Sequence, residues 1–206
     1  MLVAFMGNDG SGKTTVINLL RDKFKLCGRD IEYVPGFSHL FMDGLKAMFH
    51  RIFKIDMVRL QVDYEKPVAI KKNILFYFWP YFVFMDSVAL FVKYRFFVKN
   101  IVLFDRYFYD YIISFRNLGT NTWLEEFLFF LIPKPKYSYI FDVDPSIAYE
   151  RKKETHKGDL SYYQQQRLRY VWLAKRKGIK LINTDNNKPE IIVNEIYSQI
   201  MGNGKI

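Results

Sequence analysis

Nine residues near the amino terminus, Gly7-Asn8-Asp9-Gly10-Ser11-Gly12-Lys13-Thr14-Thr15, have the types and spacing to hold a phosphate chain. They match G-x-x-x-x-G-K-[ST], in which glycines let successive backbone N–H groups converge on an anion. In such a loop a lysine, here Lys13, reaches the outer phosphates, and the hydroxyl of Thr14 can ligate Mg²⁺. The flanks suit the pattern. Leu2-Val3-Ala4-Phe5-Met6 reads as a short buried strand, and Val16, Leu19, Leu20, Phe24 and Cys27 recur at helical spacing up to Gly28. Strand, loop and helix together set a helix amino terminus, with its favourable dipole, against the anion. The pattern predicts a nucleoside triphosphate site formed by Asn8, Gly10, Ser11, Gly12, Lys13, Thr14 and Thr15.

A second chemical signal is Ile101-Val102-Leu103-Phe104-Asp105, an apolar strand that ends in a carboxylate and runs into Arg106-Tyr107. A continuous apolar run suits a parallel sheet. An acid at its carboxyl end would lie beside the phosphate loop, where a metal and a transferring group sit. Further on, Arg151, Lys152, Lys153 and Lys157 crowd together with His156. Such a run is ordinarily a solvated face. In a phosphate-handling chain its sharper reading is a mobile lid, over about 151–160, that brings positive charge onto the triphosphate.

The elements that must position these groups follow from the hydrophobic pattern. Strands are expected at 2–6, 31–34, 101–105, 137–142 and 180–183. Helices are expected at about 16–27, 37–55, 123–131 (capped by Asn121 or Thr122), 160–177 and 188–200, with another opening near Glu65-Lys66-Pro67. Pro145 stands at a favoured first helical position. Strands alternating with helices give an α/β fold: a doubly wound parallel sheet of about five strands with helices on both faces. The 206 residues fit one domain. His39 and His50 lack metal-ligand company and read as ordinary side chains.

Composition narrows the classes. Half the residues are hydrophobic and a quarter are charged, which excludes disorder as the default. The single cysteine, Cys27, excludes a disulfide framework and reads as a core thiol. The net charge of +10 suits anionic partners, although charge without a recognisable motif does not argue for nucleic acid. No signal peptide is visible, because the first strand runs straight into the loop, so a cytoplasmic protein is expected. Residues 74–97 are crowded with aromatics, and Asp86 is the only charge between Ile74 and Val92. A membrane-spanning reading meets Pro80, the central Asp86 and a second apolar strand close behind it. A core helix pair is the plain alternative. An interfacial helix flanked by Lys71, Lys72, Lys93, Arg95 and Lys99 is the third.

These residues carry a resemblance to a known family. The chain resembles the thymidylate kinases, within the P-loop nucleoside monophosphate kinases, over nearly its whole length. The features are the loop at 7–15, Asp105-Arg106-Tyr107, the strand end Phe141-Asp142-Val143-Asp144-Pro145 and the basic segment after Arg151. The resemblance implies a P-loop NTPase three-layer sandwich with a helical lid. It also implies transfer of the ATP γ-phosphate, with Mg²⁺, to a (deoxy)nucleoside monophosphate such as dTMP. By the same resemblance Asp9 contacts the acceptor sugar, Asp105 serves metal or acceptor, and Arg106 serves the acceptor phosphate, with Tyr107 beside it. Relatives that lack a basic residue next to the loop acid supply it from the lid. Gly10 stands at that place here, so Arg151, Lys153 or Lys157 are the candidates. Lys13, Asp105, Arg106 and Arg151 are therefore the expected catalytic set, and Thr14 and Asp105 the expected metal ligands.

The departures from the family bear on the acceptor. The family has an arginine just before Pro-Gly after the second strand, where this chain has Glu32-Tyr33-Val34. A stacking phenylalanine in the base pocket is usually followed four residues on by an arginine. With Phe76 in that role, the arginine position holds Pro80, which has no side-chain donor. The chain thus looks like a divergent branch. The same chemistry on a sugar- or lipid-linked phosphate is the alternative, and a nucleotide switch or membrane-surface module is the alternative of another class. A guanine-reading Asn-Lys-x-Asp is missing, since Asn183-Thr184-Asp185 lacks the lysine. The expected partners are ATP and a phosphorylated small-molecule acceptor. A homodimer is also expected, and peripheral membrane contact is left open.

Overall fold

The computed structural model describes residues 1–36, 38, 40, 44, 74–118, 123–153 and 159–202, with the backbone alone for 74–79, 115–118, 124 and 125. The expectations for a helix over 37–55 (38, 40 and 44 apart), a helix opening at 65–67, His39, His50, the cap at 121 or 122, His156 and Lys157 lie outside these residues. So does the side chain of Phe76.

Five strands form one parallel sheet: β1 (Leu2–Gly7), β2 (Ile31–Val34), β3 (Ile101–Asp105), β4 (Tyr137–Asp142) and β5 (Lys180–Asn183). Their order across the sheet is β2-β3-β1-β4-β5. Strand β1 is central and buried along its whole length, as a strand covered on both faces must be. Seven helices are described: α1 (Lys13–Leu26), α2 (Ile74–Val92), α3 (Tyr109–Leu118), α4 (Trp123–Leu131), α5 (Pro145–Lys152), α6 (Leu160–Lys177) and α7 (Pro189–Gly202). A π-helical turn, Lys93–Phe97, extends α2.

The chain divides into two compact units. The first comprises Met1–Gly36, Val98–Tyr107 and Lys134–Ile206, and holds the whole sheet. Its core is made where Val16, Ile17, Leu20 and Phe24 of α1 and Ile192, Val193, Ile196 and Ile200 of α7 meet Val3, Phe5, Leu103, Tyr139 and Phe141 of the strands. A smaller cluster of Val143, Ala148 and Tyr163 joins α5 to α6. Local chemistry sets the helix ends. Asp144 caps α5 by accepting from the Ser146 N–H at 2.9 Å, with Pro145 at the first helical position. Asp159 caps α6 through the Tyr162 N–H at 2.9 Å, and Gly178 closes that helix in the left-handed conformation.

The second unit comprises Phe37–Phe97 and Phe108–Pro133. Phe129 of α4 meets Phe84 of α2 edge-on at 5.7 Å and Tyr111 of α3 at 5.9 Å. The Tyr109 hydroxyl donates to the Ile132 carbonyl at 2.5 Å. Burial raises the pKa of that phenol. Asp86 is buried, and both of its oxygens accept from the Leu40 N–H at 3.0 Å.

Two expectations need correction. The aromatic segment is a single helix, α2, running through Pro80, rather than a helix pair. No helix among the described residues is long and apolar enough to cross a membrane. Cys27 is exposed, not a core thiol, because α1 ends at Leu26 and the next residue turns off the buried face. Helix α3 is an addition that the pattern did not announce. Tyr109, Tyr111, Ile112 and Ile113 are all buried, so its first turns show no polar face from which a helical period can be read.

Candidate functional site

The loop from Gly7 to Lys13 joins β1 to α1 at the carboxyl edge of the sheet. Its shape depends on glycine at two points. Gly10 has φ of 79°, and a Cβ there would stand 2.8 Å from the Ala148 carbonyl oxygen of α5. Gly12, with φ of 80°, is the left-handed residue from which α1 starts. A left-handed conformation costs a glycine little and most other residues 1–3 kcal/mol, roughly.

The polar groups of the loop hold it in this shape. Ser11 is fully buried, and its N–H donates to the Asn8 carbonyl at 3.3 Å. The Asn8 side chain accepts from the Asp9 N–H at 2.9 Å and donates to the Tyr163 carbonyl of α6 at 3.3 Å. Lys13 is buried. Its ammonium donates to the Gly7 carbonyl at 2.8 Å, to the Asn8 carbonyl at 2.7 Å and to the Ser11 hydroxyl at 3.3 Å. Thr14 and Thr15 begin α1 and are exposed.

Strand register brings the second signal alongside. Phe5 of β1 pairs with Asp105 of β3, and the Arg106 N–H continues that ladder by donating to the Phe5 carbonyl at 2.8 Å. Arg106 has φ of 79°, the one positive φ outside glycine among the described residues. Its guanidinium forms an ion pair with Asp9 and donates to the Tyr170 hydroxyl of α6 at 3.1 Å. A strained backbone held by three separate partners is a feature that clusters at functional positions.

Asp105 has its own support. The Tyr33 hydroxyl of β2 donates to Asp105 Oδ2 at 3.0 Å. Burial, then the charge and hydrogen bond of Asp105, push that phenol up to about 12, and the Arg21 guanidinium pulls it the other way. Arg21 lies 4.6 Å from the centre of the Tyr33 ring. Gly36 closes the arrangement, since a Cβ there would stand 2.8 Å from the Asp105 carbonyl oxygen.

Of the basic run, Arg151 donates to the Gly10 carbonyl at 3.0 Å, so it touches the phosphate loop directly. Lys153 is paired with Glu150 at 2.7 Å. Tyr107 is buried, with its ring edge-on to Phe104 at 5.7 Å. Thus Asp9, Lys13, Asp105, Arg106 and Arg151 meet around the loop in the first unit. Sequence reasoning missed Tyr33, Gly36, Tyr163 and Tyr170, which hold them there. It also missed Arg167, which forks onto Asp142 at 2.8 and 2.9 Å at the end of β4. The signal for the α6 residues is the buried stripe Tyr163, Gln166, Tyr170, Leu173 and Ala174, whose polar members call for partners.

The donors present suit Mg²⁺. The Thr14 hydroxyl and the half-buried Asp105 carboxylate are hard oxygens beside the loop. No group of three or more His, Cys, Asp or Glu that could hold a metal occurs among the described residues. Mg²⁺ that travels with a nucleotide needs none, because phosphates and water supply most of its ligands.

No family model matches the chain. It is 24% identical over 198 residues to a probable thymidylate kinase of Sulfolobus acidocaldarius, a match that covers 93% of this chain and 92% of the relative. Among solved structures it is similar to the thymidylate kinase of Ehrlichia chaffeensis, with a TM-score of 0.52 and 18% identity, over 100% of this chain and 98% of that one. The chain thus resembles thymidylate kinases over nearly its full length. Its five-stranded parallel sheet with surrounding helices is the P-loop NTPase fold of those enzymes.

Proposed function

We propose that this chain is an ATP-dependent nucleoside monophosphate kinase of the thymidylate kinase type, moving the γ-phosphate of ATP to a (deoxy)nucleoside monophosphate such as dTMP. The observation that carries this reading is the meeting of Lys13, Asp9, Asp105, Arg106 and Arg151 at the phosphate loop. The full-length similarity to a probable thymidylate kinase supports it. All 206 residues work as one kinase domain in this reading, with the lid at about 151–160.

Phosphoryl transfer asks a protein for alignment and charge neutralisation more than for covalent chemistry. An oxygen of the acceptor phosphate attacks the γ-phosphorus, the bond to the β–γ bridging oxygen breaks, and ADP leaves. The backbone N–H groups of residues 10–14, together with Lys13, hold the donor phosphates. A phosphate competes with the Gly7 and Asn8 carbonyls for the Lys13 ammonium, which already sits at the loop. Arg106, fixed by Asp9 and Tyr170, faces the acceptor phosphate and keeps it in line. Asp9 itself lies near the acceptor sugar, and Tyr107 belongs to the acceptor side. Arg151 brings a positive charge to the loop edge where negative charge grows in the transition state. Mg²⁺ bound with ATP offsets phosphate charge, with Thr14 and Asp105 as its protein oxygens.

The test is turnover by Lys13→Ala and Asp105→Ala with ATP, Mg²⁺ and each nucleoside monophosphate. Each variant should lose about 3 kcal/mol of transition-state stabilisation or more, at least a hundredfold in kcat. Near-native turnover in either one removes that residue from the catalytic set.

A further inference from the structure

Helix α6 carries three successive glutamines, and one of them is turned inward. Gln164 and Gln165 are exposed, whereas Gln166 is 4% exposed. At 3.6 residues per turn, Tyr163, Gln166 and Tyr170 fall within an arc of about 60° on one face of the helix. Both neighbours of Gln166 on that face touch the site. The Tyr163 carbonyl accepts from the Asn8 amide at 3.3 Å, and the Tyr170 hydroxyl accepts from the Arg106 guanidinium at 3.1 Å. Gln166 stands between them, about one turn from each. A helical side chain leans towards the amino-terminal end of its helix, here towards the level of the Asn8 contact. The amide is therefore placed between the phosphate loop and Arg106, whose guanidinium pairs with Asp9. Loop, Arg106 and α6 all belong to the first unit.

A buried side-chain amide is costly unless it is hydrogen-bonded, and nearly all such groups are. Among the described residues nothing hydrogen-bonds the Gln166 amide, and the amide is not sealed from the surface. Leu173 and Ala174 continue the buried stripe with apolar side chains, which is what packing on this face otherwise takes. An amide kept in such a place points to a bound ligand. The neighbouring chemistry identifies the ligand. One terminal nitrogen of Arg106 donates to Tyr170 and the other to Asp9, so both ends of its fork already carry a contact. A phosphate beside it offers more acceptor oxygens than a guanidinium so engaged can serve. A glutamine amide adds two N–H donors there without adding charge.

We infer that Gln166 is a further acceptor-binding residue, donating its amide N–H to the acceptor phosphate beside Arg106. The inference rests on the kinase reading and deepens its acceptor site. Its test is steady-state kinetics of the full chain with ATP, Mg²⁺ and whichever nucleoside monophosphate the wild type turns over fastest, beside Gln166→Met and Gln166→Glu. Gln166→Met keeps the length and loses the donor. It should raise the acceptor KM about tenfold or more, with the ATP KM and kcat changed by less than about twofold. Its melting temperature should not fall, because the change removes a polar group from a buried position. Gln166→Glu should raise the acceptor KM further, since a carboxylate repels the phosphate and competes for Arg106. Three results would overturn the inference: an acceptor KM unchanged in both variants, acceptor and ATP KM values that rise together, or a Gln166→Met protein that melts lower and keeps its acceptor KM. A wild type that turns over no monophosphate removes the kinase reading and the inference with it. An active wild type whose variants keep its acceptor KM removes the inference alone.

Discussion

The Tyr33 hydroxyl reaches across from β2 to donate to Asp105 Oδ2 at 3.0 Å. A phenol therefore supports the carboxylate at the end of β3, and Arg21 in turn covers its ring at 4.6 Å. Tyr33→Phe removes one hydrogen bond to a charged group without changing the ring. The kcat should fall about tenfold, with ATP affinity and melting temperature nearly unchanged. An unchanged kcat would show that Asp105 needs no such support.

The same pair predicts a pH dependence of stability. The folded phenol is pushed up to about 12 from the ordinary 10.0, so the fold favours its protonated form. That contribution is complete below pH 10 and is lost as the pH climbs towards 12. The stability difference between the wild type and Tyr33→Phe should be constant up to about pH 10 and close above it. Denaturation at stepped alkaline pH checks this, and a gap that begins to close near neutrality would contradict it.

Two loop glycines should respond differently to alanine. Gly12→Ala meets no atom within 4 Å and bears only the cost of its φ of 80°, on the order of 1 kcal/mol. Gly10→Ala has the same backbone cost, and its Cβ is also driven to 2.8 Å from the Ala148 carbonyl oxygen. Gly10→Ala should therefore be the less stable variant in denaturant titration and should bind ATP more weakly. Equal stabilities would mean that α5 gives way freely.

The basic run should not act as a uniform block. Arg151 contacts the Gly10 carbonyl, whereas Lys153 is engaged by Glu150. Arg151→Ala should lower kcat more than ATP affinity, by about tenfold or more, and Lys153→Ala should do little. Steady-state kinetics of the two single variants decide it, and matching effects would return the run to a solvated face.

The base should be read loosely. No donor stands at Pro80, which is buried inside α2, so an arginine placed there would bury its guanidinium rather than restore a contact. The kcat/KM values for dTMP, dUMP and dCMP in the unmodified protein should agree within roughly tenfold. Strong preference for dTMP would show that another side chain reads the base.

Much of this was legible in the residues. Strands β1, β3 and β4 were readable because a parallel sheet buries both faces of its inner strands and leaves continuous apolar runs such as Ile101-Val102-Leu103-Phe104, whereas the short edge strands β2 and β5 were marked by the turn residues beside them, Pro35-Gly36 and Gly178. The loop was readable because glycine, lysine and threonine at fixed offsets have a local mechanism. The supports of the site were not. Tyr33 meets Asp105, Tyr170 meets Arg106 and Tyr163 meets Asn8 only after the strands register and α6 folds back, at separations of 64 to 155 residues. Arg106 gives no sign of its left-handed backbone, which depends on the ladder to Phe5 and the ion pair with Asp9. Helix α3 hid because burial of Tyr109, Asp110, Tyr111, Ile112 and Ile113 in its first turns erases the period that marks a surface helix.

The central claim is phosphoryl transfer from ATP to a nucleoside monophosphate at this loop. It is tested most directly by ADP release from the purified chain with ATP and Mg²⁺ against every nucleoside monophosphate, dTMP included, beside Lys13→Ala. The prediction is ADP release that requires a monophosphate acceptor, yields the corresponding diphosphate, and falls at least a hundredfold in the variant. ADP release with no acceptor in the panel, or turnover that survives the loss of Lys13, would contradict it.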